Sequence, residues 1–314
     1  MKKNTNIEKR MLVKIAKMYY FDELTQQQIA DYFSISRSSV SRALTQAKQQ
    51  GIVHIYIDDE YSEEQLVEKR LHNQYGIREA CVVNVNSSNK EELNKQVGGV
   101  ITRVMDGLLN DNDTIGLMAG STINSVCENV GTVNRKGLKI VPMAGGMGVK
   151  SAPWQVNQAT MALSEKWNAD YYVLNSPSYV SSEKAREILV NEPEIKTVLD
   201  LMKSCNVAIV GIGETEDGAS LYRIGGISRE DIEKLIKKDT AASLGSAFID
   251  ENGKIIDTDV SRRMICVTPE DLKQIPTVIA VAYGKNKVKA IEAVLKSGLI
   301  DILITDLQTA NMIP

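Results

Sequence analysis

Histidine is nearly missing from this 314-residue chain: His54 and His72 are its two, and both lie outside the glycine-rich segments. That disfavours chemistry that needs an imidazole as base or metal ligand. Cysteine is sparse too. Cys81, Cys127, Cys205 and Cys266 are scattered with no CxxC pair, which argues for buried reduced thiols and against disulfides or zinc. No apolar run approaches the ~20 residues that span a bilayer, and Met1 to Arg10 is too polar for a signal peptide, so a cytoplasmic protein is expected. Three nucleotide and nucleophile signatures are also absent. No GxGxxG stands after a strand, since Gly211-Ile-Gly-Glu-Thr-Glu lacks the third glycine, and neither GxxxxGK[ST] nor GxSxG occurs. Nicotinamide and ATP binding are therefore poorly supported, and neither a cofactor nor a metal is expected. Hydrophobic content of 43% and charged content of 25% fit an ordinary globular chain with one large domain and one small.

What is present begins with Thr25 to Gly51, TQQQIADYFSISRSSVSRALTQAKQQG. Thr25 followed by Gln28 has capping-box spacing, so a helix starts there, with Ile29 and Phe33 on its apolar face. Ser34-Ile-Ser breaks the pattern, and Ser36 caps a second helix whose Val40, Ala43, Leu44 and Ala47 share one buried face. Arg37, Ser38, Ser39, Ser41 and Arg42 are left pointing outward. Hydroxyls that reach phosphates and arginines that bridge guanine O6 and N7 suit a DNA major groove, and Thr25 and Gln26 at the first helix start join this operator-facing set. An earlier amphipathic stretch, Glu8 to Tyr20 with Leu12, Ile15, Ala16 and Tyr19 on one side, supplies the third helix of such a domain. The bland alternative is a helical hairpin with a solvated face. Charge segregation favours DNA: residues 1–50 hold nine Lys/Arg and four Asp/Glu, about +5, so with −3 overall the remainder carries about −8.

After Gly51, Val53-His-Ile-Tyr-Ile alternates like the strand of a small wing, and an acidic junction marks the boundary. We expect a helix-turn-helix domain over residues 1–57 and an effector-binding and oligomerisation domain over 58–314. Ser62 to Gly76 reads as a helix that either connects the domains or pairs with a second subunit. From Glu79 onward, apolar β-branched runs, Tyr171-Tyr-Val-Leu and Ala247-Phe-Ile among them, alternate with helical patterns, which implies a doubly wound α/β domain built on a largely parallel sheet. In such sheets ligands bind beyond the carboxyl ends of the strands. Glycines follow four strand candidates. Gly120-Ser121-Thr122 opens a helix whose free N–H groups and hydroxyls suit a phosphate, and Gly145-Gly146, Gly211-Ile-Gly213 and Tyr283-Gly284 end three others. Each alone fits a plain turn; four on one edge suggest a site. Lys287 supplies a cation there or is one of a solvated lysine run.

The order of the helix-turn-helix LTQQQIADYFSISRSSVSRALTQAKQQGIV, then GST, Gly-Gly, LNSPSYVSS, VAIVGIG, LYRIGGIS, FIDENG and YGKNKVKAI…LITD resembles the SorC family of bacterial sugar-responsive transcription regulators, over essentially the whole chain. The resemblance implies an effector domain related in fold to sugar-phosphate isomerases and deaminases but used for sensing, and a homotetramer that binds an operator, commonly as a repressor, and responds to a phosphorylated sugar. Carried over by position, Gly120, Ser121 and Thr122 would hold a phosphate, and Gly145, Gly146, Gln155, Asn157, Gly211, Gly213, Arg223 and Lys287 would line the remaining pocket. The chain departs from relatives at Ala144, where some carry a basic residue, at Ser243, where an acidic one is frequent, and at Tyr283, where glycine is usual. The expected function is a DNA-binding regulator of a carbohydrate operon that is not an enzyme. Its rival is a sugar-phosphate isomerase or deaminase with an added DNA-binding head, for which Glu214, Glu216 and Asp217 are the candidate bases.

Overall fold

A computed structural model describes residues 2–50, 52–53, 61–85, 89–118, 120–146, 155–215 and 227–314. The chain divides into two units, Met1–Glu60 and Tyr61–Pro314.

The first unit holds α1 (Lys2–Tyr20), α2 (Gln26–Phe33) and α3 (Arg37–Gln49). Thr25 closes a capping box with Gln28, its hydroxyl accepting from the Gln28 amide at 3.3 Å while its own N–H donates to Gln28 Oε1 at 2.9 Å. Ser34 ends α2 in the left-handed region at φ 53°, and the Ser36 hydroxyl then accepts from Ser39 N–H to start α3. Leu12, Ile15, Ala16, Met18, Ile29, Ala30, Val40, Leu44 and Ala47 are buried between the three helices. α1 begins six residues earlier than the apolar pattern suggests. The expected wing strand falls almost wholly on residues outside those described.

In the second unit, α4 (Glu63–Tyr75) is framed by the Ser62 cap and by Gly76 at φ 69°. It packs into the body of its own unit. Leu71 and Val67 enter the core, and the Arg70 guanidinium donates to the carbonyls of Ala310, Ile313 and Pro314. Seven parallel strands follow in the order β1 (Glu79–Val83), β11 (Ile302–Asp306), β10 (Thr277–Val281), β5 (Val207–Gly211), β2 (Thr114–Leu117), β3 (Lys139–Pro142), β4 (Asp170–Tyr171). Alternate residues serve opposite faces. Ile115, Leu117, Ile209, Ile279 and Ile304 meet α5 (Lys90–Leu108), α6 (Ser121–Cys127) and α7 (Val156–Trp167), whereas Ala208, Val210, Val278, Ala280 and Leu303 meet the rest of the body. Covered on both faces, these strands need no polar alternation, and that is why they read as continuous apolar runs.

Three expectations need correcting. Ala247–Asp250 (β8) is not part of the parallel sheet: it pairs antiparallel with β7 (Thr240–Leu244) in a small sheet completed by β6 (Gly213–Glu214) and β9 (Ile255–Ile256). Gly245, at φ +60°, and Ser246 make the two-residue loop between them, a connection only antiparallel neighbours allow. The strand expected over Tyr171 to Leu174 shrinks to two exposed edge residues, because the Asn157 side chain takes the backbone of Leu174 instead. A helix that periodicity did not single out, α9 (Pro193–Lys203), follows α8 (Glu183–Val190) and starts on Pro193, whose fixed φ suits a first helical turn. The remaining helices are α10 (Arg229–Lys237), the short α11 (Pro269–Leu272), α12 (Val288–Ser297) and α13 (Leu307–Met312). All four cysteines are buried free thiols, and burial pushes each to about 12, so they are unreactive at neutral pH. No helix among the described residues is long and apolar enough to cross a membrane.

Candidate functional site

In the three-helix unit, the caps decide what α3 offers. Arg37, Ser38, Ser41 and Arg42 are exposed on its leading turns, as the spacing predicts. Ser39 is the exception. Half-buried, it sits 2.8 Å from Ser36 Oγ, which is also 2.8 Å from Ser38 Oγ, so these hydroxyls serve one another and the helix start. Arg42 Nε lies 3.4 Å from the Ser38 carbonyl, which leaves the end of its guanidinium free to reach outward. Thr25, Gln26 and Arg37 surround a cleft of about 550 Å³ together with Tyr19, Glu23, Leu24 and Gln27, so the starts of α2 and α3 face one side. Two helix N-termini, one of them carrying the Arg37 guanidinium, line a cleft at which backbone phosphates and base edges can both be met.

In the α/β unit, the strand order reverses between β2 and β5. From β2 the chain winds outward to β3 and β4; from β5 it winds the other way through β10 and β11. A crevice opens beyond the carboxyl ends at such a switch point. Because all seven strands are parallel, the turns at Gly120, Gly145-Gly146, Gly211-Gly213 and Gly284 lie along that one edge, as expected. Gly120 has φ +150° and ψ 152°, a conformation reserved for glycine, and a Cβ there would meet open space. It is needed for backbone shape, which turns the first N–H groups of α6 and the half-exposed Ser121 and Thr122 toward the edge. Gly211 abuts the same helix: a Cβ on it would touch the Ile123 side chain at 3.4 Å.

Lys287 completes this group. Its ammonium donates to the carbonyl of Ile212, between Gly211 and Gly213. Burial lowers its pKa, with the Glu214 carboxylate opposing. It is therefore a half-buried cation fixed at the rim rather than a member of a solvated run. Glu214 accepts from the Asn286 amide at 2.7 Å, which closes the loop from the other side.

The other glycines have packing reasons. A Cβ on Gly213 would lie 2.2 Å from Ser243 Oγ, and one on Gly145 would lie 2.4 Å from the Ser176 carbonyl oxygen. Gly146 is half-exposed beside the Gln155 amide. The Asn157 side chain exchanges two 3.2 Å bonds with the Leu174 backbone, which holds the loop after β4. Ser243 is buried against Gly213. Tyr283 turns its hydroxyl to Asn94 of α5, and burial, reinforced by Asp306, pushes its pKa to about 12. Arg223, Glu216 and Asp217 lie outside the described residues.

Two rim residues escaped the sequence reading. Asp306, at the end of β11, and Thr309 are buried, and both accept from the Gly284 N–H, at 3.3 and 2.7 Å. They fix the turn that carries Lys287. An acid closing the apolar run Ile302-Leu-Ile-Thr was the available signal. Among the described residues no group of three or more His, Cys, Asp or Glu is placed to hold a metal.

Comparison with known proteins finds relatives along nearly the whole chain. Residues 59–313 fit the model of the family described as "Putative sugar-binding domain", and residues 11–60 fit that of the Crp-like helix-turn-helix domain. The chain is 30% identical to the sorbitol operon regulator of Klebsiella pneumoniae over 308 residues, covering 97% of each. The full-length crystal structure of that regulator superposes with a TM-score of 0.74, covering 97% of this chain and 98% of the other. The deoxyribonucleoside regulator of Bacillus subtilis (strain 168) is 27% identical over 305 residues, again 97% of each.

Proposed function

The chain belongs to the SorC family of sugar-binding transcription regulators, and from that premise we propose that a phosphorylated sugar, held at the switch-point rim, sets its affinity for operator DNA. That it regulates a sugar operon through DNA and is not an enzyme follows from relatives matched along their whole length, which are named as regulators. The finer reading rests on one observation, the Gly120 turn that opens α6 beside Gly211 with the fixed cation Lys287 at the same rim. Amide N–H groups at a helix start, two hydroxyls and an ammonium form a donor set suited to a dianionic phosphate. Gln155 and the half-exposed Gly146 line the part of the rim that takes the sugar hydroxyls in this reading. In the head, Arg37, Ser41 and Arg42 meet the operator, with Thr25 and Gln26 on adjacent phosphates. Two copies reading a pseudo-palindrome follow from the use of one recognition helix per half-site.

The ligand must bind one state of the regulator better than another, since equal affinity shifts nothing. The relatives' names direct the first trials to hexitols and deoxyribose. A thermal-shift series with each sugar and its phosphate ester tests the reading: stabilisation by the ester and not by the parent sugar supports it, and equal shifts from both overturn the phosphate assignment.

A further inference from the structure

We propose that Asp231 is a positioning residue for the sugar-binding rim, acting through Tyr179 and Arg263 on the Ala144–Gly146 turn that follows β3. The role in sugar binding rests on the reading of Gly145 and Gly146 as part of that rim.

Beyond Pro142 the turn leaves the seven-stranded sheet and is held by two other pieces of chain. Gly145 N–H donates to the Ile265 carbonyl at 3.0 Å, Gly146 N–H donates to Ser176 at 2.8 Å, and Ser178 N–H donates back to Gly146 at 2.8 Å. The two flanking pieces also bond each other, Ile265 to Ser178 at 2.8 Å and Val180 to Arg263 at 3.1 Å. The isolated bridges Ala144–Cys266, Gly146–Pro177 and Tyr179–Met264 describe the same three-ply arrangement. Neither flank belongs to a regular strand, so side-chain anchors add to these backbone bonds in fixing its place; the Arg186 guanidinium, for one, donates to the Met264 carbonyl at 2.7 Å.

One carboxylate anchors both. Asp231, 4% exposed, accepts from the Tyr179 hydroxyl at 2.5 Å and the Ser228 hydroxyl at 2.7 Å on one oxygen, and from Arg263 Nη2 at 2.7 Å on the other. Arg263 also stacks 4.7 Å from the Tyr179 ring centroid, and Asp259 and Lys234 extend the network outward. Burial alone would raise the acid, but the hydrogen bonds from Tyr179, Ser228 and Arg263 override it and bring Asp231 to about 2. A carboxylate sunk this deeply persists only when every partner is in place, so the network has few alternative arrangements. A helix cap would need Ser228 alone, which already accepts from Asp231 N–H at 3.1 Å. The bonds from Tyr179 and Arg263 go beyond capping α10 and join it to both flanks of the glycine turn.

Amide hydrogen exchange on the full chain tests this, comparing wild type with Asp231→Asn and with the gentler Tyr179→Phe, which keeps the ring and removes one hydroxyl. Protection at Gly145, Gly146 and Ile265 should fall about tenfold or more while the sheet amides of Ile209 and Val210 hold theirs. Unchanged protection at the turn in both variants, or an equal loss across the sheet, overturns the proposal. Inorganic phosphate added to wild type reports separately on the rim: if it fails to slow exchange at Ser121 and Thr122, the phosphate assignment falls while the comparison at the turn still stands.

Discussion

In the head, the residues that shape the surface proposed to face DNA satisfy one another within three or four positions: Thr25 with Gln28, Ser36 with Ser39, Arg42 with Ser38. In the body, Gly120, Gly211 and Lys287 belong to distant stretches and meet only because β2, β5 and β10 lie side by side. The difference shows why one region is a portable motif and the other a consequence of topology. A local motif needs only a small core to present its surface. A rim needs the whole sheet, and each of its turns must also fit the packing behind it.

The largest expected effect breaks the head alone. Its core is a handful of side chains, so Ile29→Ala, at a fully buried position, should cost about 3 kcal/mol, a large part of what so small a unit has. Operator gel shifts should vanish while the body's calorimetric transition stays in place; retained DNA binding would mean that the head draws stability from elsewhere. Next comes the body. Gly145→Ala forces a Cβ to within 2.4 Å of a backbone carbonyl oxygen and should cost about 2 kcal/mol, seen as a lower midpoint for the body transition, whereas an unchanged midpoint would remove the close approach.

This division also explains what the sequence made legible. Capping residues and a four-residue apolar spacing fix the head helices, so Thr25, Ser36, Val40 and Leu44 could be placed without coordinates. Ser39 could not, because its half-burial depends on which hydroxyl Ser36 engages. For the body, continuous apolar runs revealed the parallel sheet and its glycine-bearing edge. They did not separate Gly120, demanded by its φ, from Gly213, demanded by the Ser243 side chain, since both read as glycine after a strand. The small antiparallel sheet was missed because Ala247-Phe-Ile is as apolar as a parallel strand and the reversal rests on Gly245 alone. Asp306 had a signal in its place at the end of an apolar run, but its pairing with Gly284 had none, and the Asp231 network likewise joins residues too far apart in sequence for spacing to reveal.

Smaller effects sharpen the comparison. Arg37→Ala should cost about 1.5 kcal/mol on the preferred operator and flatten the preference between operators, while Arg42→Ala weakens all sequences alike and lowers the salt slope by about 1; unchanged titrations for both would take α3 out of the interface. A pH effect in the body completes the comparison. With its folded pKa depressed to about 2 from an ordinary 3.8, Asp231 contributes stability that is present above that ordinary value and lost as pH falls toward 2. Acid titration of wild type should therefore show a loss over that window that Asp231→Asn lacks, and identical acid limbs would remove the carboxylate from the stability of the body.

The central claim is that a cradle at the rim of the sheet governs a reader whose own contacts with DNA are separate from it. It is tested most directly by titrating operator DNA with the wild-type chain and with the Ser121→Val, Thr122→Val double variant, each with and without the sugar phosphates that stabilise the wild type. The account predicts equal operator affinity for the two proteins without sugar phosphate and a response to it in wild type only; a double variant that responds as wild type does would contradict it.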